Sequence, residues 1–184
     1  MGVEIEKKYR LTNEQRDSLT VRLRELGARL NSEDFETNTL YAGNNLDTSR
    51  AVLRLRRVEG KSVLTYKEKG VAEKSDVSSR REDETEVADA DALHAILEAL
   101  GFKPSLIYEK RRATWMVDDA EVTIDELPFG WYVEIEAESE TNVREIEKQL
   151  DLHHATAEAK TYPELTTELG TKHEGLIEAR FNQT

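Results

Sequence analysis

The residues of this chain that could do chemistry come in pairs spaced by two. At the start, Glu4, Glu6 and Lys8 alternate with Val3 and Ile5. Further on, "LRLR" sets Arg54 and Arg56 against Leu53 and Leu55, and "LTYKEK" groups Thr65, Lys67 and Lys69. "RREDETEV" aligns Arg80 with Glu82, Glu84 and Glu86, and "EKRRATW" pairs Lys110 with Arg112. "VTIDEL" contributes Asp125, and "YVEIEAE" pairs Glu134 with Glu136 against Val133 and Ile135. Side chains two apart leave the same side of a strand. One such strand is an ordinary half-buried strand with a solvated face. Six of them, mixing carboxylates with Arg and Lys, with an apolar opposite side in most, predict a shared charged surface. Guanidinium and ammonium groups there can hold a small anion, and carboxylates can hold hard cations.

Strands must position these pairs, and the patterning supplies them. Strand-like runs fall at 2–10, about 34–42, 50–58, 61–69, 79–88, 105–117, 120–126 and 131–139, several joined by short turns such as "EGK" and "VDDA". Helical signals are fewer. Thr12 with Gln15 forms a capping-box pattern ahead of Leu19, Leu23, Leu26 and Leu30, with Gly27 near the end. Asp89 or Asp91 can cap a second helix carrying Leu93, Ile96, Leu97 and Leu100, stopped by Gly101. A third helix is expected from about Asn142 to Leu150 and a short fourth near Tyr162 to Leu169, followed by a polar tail. Many strands and few helices predict a mainly antiparallel sheet with helices beside it. The apolar strand faces can pack against helices outside while the charged faces line a water-filled lumen, and closure removes exposed edges. Those apolar faces can equally pack in a homodimer.

Composition bounds the partners. The 184 residues carry no low-complexity segment, so a single domain over 1–184 is expected. A formal net charge of −12 argues against nonspecific binding to nucleic acid or to an anionic membrane. It leaves room for a small anionic substrate, because a local basic cluster or a bound metal reverses the sign inside a site. No apolar run approaches the roughly 18 residues of a membrane span. There is no cysteine, hence no disulfide, thiol nucleophile or zinc–thiolate site, and cytoplasm is the expected location. His153-His154 reads as a solvated pair after a helix, and Trp115 and Trp131 read as packing residues.

Taken in order, ExExK, LRLR, TxK, RxExE, KxR, an isolated Asp and a late ExE resemble the CYTH superfamily, the triphosphate tunnel metalloenzymes. The likeness runs from Glu4 to "AKTY" at 159–162. It implies an α+β fold: a closed eight-stranded antiparallel β-barrel, the triphosphate tunnel, with helices packed outside and a C-terminal helical segment at one mouth. It also implies a bound triphosphate and a two-metal site for Mg²⁺ or Mn²⁺. By that resemblance Glu4, Glu6, Glu82, Glu84, Asp125, Glu134 and Glu136 are metal acids. Lys8, Arg54, Arg56, Lys67, Arg80, Lys110, Arg112 and Lys160 bind substrate, with Lys160 on the C-terminal helix segment that reaches a tunnel mouth. Lys8, Asp125, Glu134 and Glu136 carry the catalysis. The RxExE run leaves its register open between Glu82/Glu84 and Glu84/Glu86, and "YAGNNL" at 41–46 departs from the Asp-containing turn of many relatives.

The activity implied is metal-dependent hydrolysis of inorganic triphosphate to phosphate and pyrophosphate, by in-line attack of water. Thiamine and nucleoside triphosphates are variants within that class. Two alternatives come from other classes. An adenylyl cyclase of the same superfamily typically carries His-Phe several residues before ExExK, whereas only Met1, Gly2 and Val3 precede Glu4 here. A noncatalytic polyphosphate-binding module would be expected to lack a metal acid, and none is missing.

Overall fold

The structure is a computed structural model that describes residues 5–68 and 82–182. Its elements run β1 Ile5–Leu11, α1 Asn13–Glu25, β2 Arg29–Gly43, β3 Ala51–Val58, β4 Lys61–Glu68, β5 Glu82–Glu86, α2 Ala90–Ala99, β6 Phe102–Val117, β7 Ala120–Leu127 and β8 Gly130–Ala137. There follow α3 Glu140–Gln149, a 3-10 turn Leu152–His154, β9 Thr156–Ala157, α4 Tyr162–Leu169, β10 Thr171–His173 and β11 Leu176–Ala179. The fold is therefore α+β, built on a mostly antiparallel sheet. The hydrogen-bonded order β5-β4-β3-β2-β6-β7-β8-β1-β9 has two ends, and no pairing among the described residues closes it. Of the expected closed eight-stranded barrel, the described residues show a mostly antiparallel sheet of eleven strands with four helices, and not its closure.

The chain divides into two compact units, Met1–Asp34 with Lys110–Thr161, and Phe35–Glu109 with Tyr162–Thr184. In the first unit β7 pairs antiparallel with β6 and with β8, and β8 pairs with β1. One face of these strands is apolar: Tyr9, Leu11, Trp115, Val117, Val122, Ile124, Val133 and Ile135 pack on Leu19 and Leu23 of α1 and on Val143 and Ile146 of α3. The charged pairs occupy the opposite face by strand alternation. Helix α1 begins where the sequence asks. Gln15 N–H donates to Thr12 Oγ1 at 3.2 Å, and the Gln15 side chain accepts from the Thr12 N–H at 2.9 Å. Leu30, expected to continue the helical stripe, lies instead on β2, because the chain leaves α1 through Gly27 at φ +72°.

In the second unit β3 pairs with β2 and β4, and β4 with β5. Here a smaller core of Tyr41, Leu55 and Leu97 sits under α2, with Leu53, Leu64, Leu93 and Phe102 around it. Asp89, rather than Asp91, caps α2 by accepting from the backbone N–H groups of Asp91 and Ala92. The tail expected to be a polar end forms a hairpin. Strands β10 and β11 turn through Glu174 and Gly175, both at positive φ, and β11 adds in parallel to β6. No described helix is long and apolar enough to cross a membrane.

Candidate functional site

The first unit gathers charge around one buried carboxylate. Antiparallel register sets Arg112 opposite Asp125 and Lys8 opposite Glu134. Arg112 Nε donates to Asp125 Oδ1 at 2.7 Å and Nη2 donates to Asp125 Oδ2 at 2.6 Å. The same Nη2 reaches Glu134 Oε2 at 2.6 Å. Lys110 stands 3.6 Å from Asp125, and Lys8 stands 3.1 Å from Glu134. Asp125 is 0% exposed, so the guanidinium fork is what makes its charge tolerable there. Three cations thus crowd two carboxylates.

Further along the same face Glu6 faces Glu136, and Glu136 faces Glu121. Like charges directly opposite on neighbouring strands repel unless a cation lies near. These carboxylates offer the hard oxygen donors that Mg²⁺ and Mn²⁺ prefer, so the donor chemistry fits the implied metals. Among the described residues, no three His, Asp or Glu side chains are gathered into one ready-made shell. Two residues of this face carried no signal in the sequence reading. Glu121 falls in the Glu136 row, and Thr123 is buried opposite Glu134 with its hydroxyl making no hydrogen bond among the described residues.

Lys160 is placed differently from the expectation. It lies in a bend before α4, not on the helix, and its backbone carbonyl accepts from Lys8 Nζ at 3.1 Å. The two tryptophans belong to the helix-covered face: Trp115 is in the core, and Trp131 packs against it under the guanidinium of Arg16 at 4.2 Å. His153 pairs with Asp151 at 2.8 Å in the 3-10 turn, away from every strand face.

The second unit carries a looser charged face. Arg54 and Arg56 lie on β3, in register with Thr65 and Val63 of β4 and, beyond those, with Glu84 and Glu86 of β5. Arg54 donates to Thr65 Oγ1 at 3.3 Å and stands 3.6 Å from Glu84, which accepts from the Thr65 hydroxyl at 2.6 Å. Lys67 pairs with Glu82 at 2.7 Å, and Lys61 with Glu86 at 2.6 Å. Glu82 and Glu84 therefore meet the basic residues expected of this face, whereas Glu86 is engaged at the strand end. Behind Arg56 lies Glu36, 4% exposed, at 3.8 Å. Glu4 and Arg80 lie outside the described residues.

Residues 2–168 match the CYTH domain, and the chain belongs to that family. CYTH proteins are in general enzymes acting on triphosphates with divalent metals. Over 152 residues the chain is 26% identical to a protein of Methanocaldococcus jannaschii named "Putative adenylate cyclase", covering 81% of this chain and 84% of the relative. The fold is similar to that of the PH1012 protein of Pyrococcus horikoshii, with a TM-score of 0.73, 24% identity, and 88% and 98% of the two chains covered. It is similar also to HpAC1 from Hippeastrum, with a TM-score of 0.70, 17% identity, and 91% and 96% covered. That protein is described as a "putative adenylyl cyclase" that reveals a dominant triphosphatase activity.

Proposed function

We propose that this chain is a divalent-metal-dependent phosphohydrolase that cleaves inorganic triphosphate to phosphate and pyrophosphate. The observation that carries the reading is the crowding of Lys8, Lys110 and Arg112 on Asp125 and Glu134. A polyphosphate that takes the cations releases the carboxylates, and released carboxylates can take a metal. One face thereby accepts both partners of the reaction through a single exchange of ion pairs.

Phosphoryl transfer depends mostly on positioning and charge neutralisation. In this reading Lys8, Arg54, Arg56, Lys67, Arg80, Lys110, Arg112 and Lys160 bind phosphate oxygens. Arg offers a planar fork, and Lys a compact point charge. Glu4, Glu6, Glu82, Glu84, Asp125, Glu134 and Glu136 are the acids that would hold Mg²⁺ or Mn²⁺. Bound there, the metal supplies Lewis-acid neutralisation of phosphoryl charge. One acid of the Asp125, Glu134 and Glu136 group accepts the proton of the attacking water. The new oxygen bond forms to the terminal phosphorus as its anhydride bond breaks, and pyrophosphate leaves. The reading carries with it a cytoplasmic location and a small-molecule triphosphate as partner. It allows a homodimer, which the molar mass in solution decides.

A second reading, adenylyl cyclase, is favoured by the name of the archaeal relative. HpAC1 pairs that kind of name with a dominant triphosphatase activity, which supports placing hydrolysis first. The test is a panel of tripolyphosphate, thiamine triphosphate and ATP with Mg²⁺ and Mn²⁺, following phosphate, pyrophosphate and cyclic AMP. Tripolyphosphate should give the highest kcat/KM, and ATP should give ADP slowly, because adenosine contributes little to the transition state. Cyclic AMP as the main product, faster than triphosphate cleavage, would overturn the hydrolase. Within the panel, Glu134→Gln should cut turnover by about 100-fold or more and raise the metal concentration required. Full activity of that variant at low Mg²⁺ would remove the metal assignment.

A further inference from the structure

The second unit contains a buried acid that the motifs do not include. Glu36 and Asn38 leave β2 on the face that carries the two arginines, since Asn38 is in register with Arg56 and Leu40 with Arg54. Both are buried, Glu36 at 4% and Asn38 at 0% exposure. Asn38 Nδ2 donates to Glu36 Oε2 at 3.1 Å, and that same oxygen faces Arg56 Nε at 3.8 Å. The buried Tyr108 hydroxyl is part of this neighbourhood. Burial pushes its pKa up, while the charges of Arg54 and Arg56 pull it down and that of Glu36 adds to the rise.

Arg54 and Arg56 each have a carboxylate, but of different kinds. The partner of Arg54 is Glu84 on β5, whose side chain is 48% exposed and is hydrogen-bonded, among the described residues, only by the Thr65 hydroxyl. The partner of Arg56 is buried: the Glu36 carboxylate accepts from the Asn38 amide, and its Oε2 stands 3.8 Å from Arg56 Nε, an ion-pair distance rather than a hydrogen bond. A buried acid held this way sets a fixed negative charge beside the Nε edge of the guanidinium. Glu86 shares the row of Arg56 through Val63 and is the exposed acid on that row.

We propose that Glu36 and Asn38 are positioning residues that hold Arg56 ready for a phosphate group. The proposal rests on the triphosphate reading above and adds to it two residues that touch no substrate. Glu36 supplies the orienting charge, and Asn38 fixes Glu36 without contributing charge of its own. Losing either lets Arg56 fall to the acids of β5, which then compete with phosphate for it.

The test is a double-mutant cycle on the full chain, combining Asn38→Ala or Glu36→Gln with Arg56→Ala. Tripolyphosphate binding is measured by calorimetry in EDTA, and KM and kcat are measured with Mg²⁺. Each single variant should weaken binding by about tenfold, on the scale of one charged hydrogen bond. KM should rise with kcat nearly unchanged, and in the Arg56→Ala background both effects should vanish. Asn38→Ser, which can still donate to Glu36, should recover part of the loss and keeps the test open where Asn38→Ala fails to fold. Unchanged or tighter binding in Glu36→Gln, or losses that persist without Arg56, would overturn the positioning role. A wild-type chain that neither binds nor cleaves tripolyphosphate would instead overturn the triphosphatase reading, and this inference with it.

Discussion

The two units present charged faces built from the same residue types, yet they solve the charge problem differently. In the first, Arg112 bridges two acids at 2.6 Å, and the central acid is fully buried. In the second, the arginine pairs are long, 3.6 Å and 3.8 Å, and every residue of β5 is exposed. Their supports differ in the same sense. The first face is backed by a core in which two helices cover four strands, whereas the second rests on the smaller core under α2. A face held rigidly by a large core can keep opposite charges preorganised at short range. A face ending in an exposed strand can trade its acids for a ligand at little cost, since exposed ion pairs contribute almost nothing.

The sharpest way to break this comparison is to remove the guanidinium that holds the first face together. Arg112→Ala leaves Asp125 buried, with Lys110 still 3.6 Å from it and Glu134 without its Arg112 contact. Removing one partner of a buried pair costs about 3–5 kcal/mol, since the other charge stays desolvated. Lys110 places the expected loss near the lower end, read by urea unfolding at neutral pH. Arg112→Lys should recover less than half of it, because a single ammonium cannot span both carboxylates as the fork does. A loss below about 1 kcal/mol for Arg112→Ala would show the first face to be as loosely held as the second.

A second test uses pH and the packed side of the first unit. Tyr9 lies under α3, and burial pushes its pKa up to about 12, with Lys7 beside it pulling the other way. A phenol whose folded pKa is raised above the unfolded value near 10 binds its proton more tightly when folded. Its contribution is therefore complete below about pH 10 and is lost as the pH climbs toward 12. The urea midpoint of the wild type should fall across that window. Tyr9→Phe should reduce the slope by about one proton, leaving the contributions of Tyr132 in the first unit and of Tyr41 and Tyr108 in the second. An unchanged slope would place Tyr9 outside the cooperative core.

Much of this contrast was legible in the sequence, and the parts that were not share a cause. The i, i+2 pairs named the charged faces because strand alternation is local, and Thr12-x-x-Gln15 named the start of α1 because capping is local too. Strands β9, β10 and β11 span only two to four residues, too few for a period to declare itself. Glu36 and Asn38 escaped because "FETNTL" mixes their row with threonines that give the strand no clean apolar side. The ion-pair partner of Glu36, Arg56, comes from a different strand, which no local pattern reveals. The resemblance assigns Lys160 to the C-terminal helical segment, and it lies just ahead of the helix, which starts at Tyr162 where the sequence pattern places it. Which acid of RxExE meets which base is a matter of register, set by the β4–β5 ladder rather than by the motif.

The smallest expected effect is the most discriminating, because it asks whether the second face is loose in fact. Glu84 is the exposed partner of Arg54, and it accepts from the Thr65 hydroxyl at 2.6 Å. Glu84→Gln removes the charge but keeps an oxygen that can accept that hydrogen bond, so the ladder between β4 and β5 is untouched. With the ion pair long and half in water, its net contribution is about 0–1 kcal/mol. The variant should unfold in urea within about 0.5 kcal/mol of the wild type, as surface substitutions commonly do. Asp125→Asn, the matched change on the first face, should cost several times more, because it leaves Arg112 and Lys110 with one buried carboxylate fewer. Salt separates the two as well: raising ionic strength screens an exposed pair and leaves an enclosed one nearly unaffected. If Glu84→Gln destabilised the chain as much as Asp125→Asn, β5 would be part of a rigid face, and Arg54 would have no more freedom to exchange its acid for phosphate than Arg112 has.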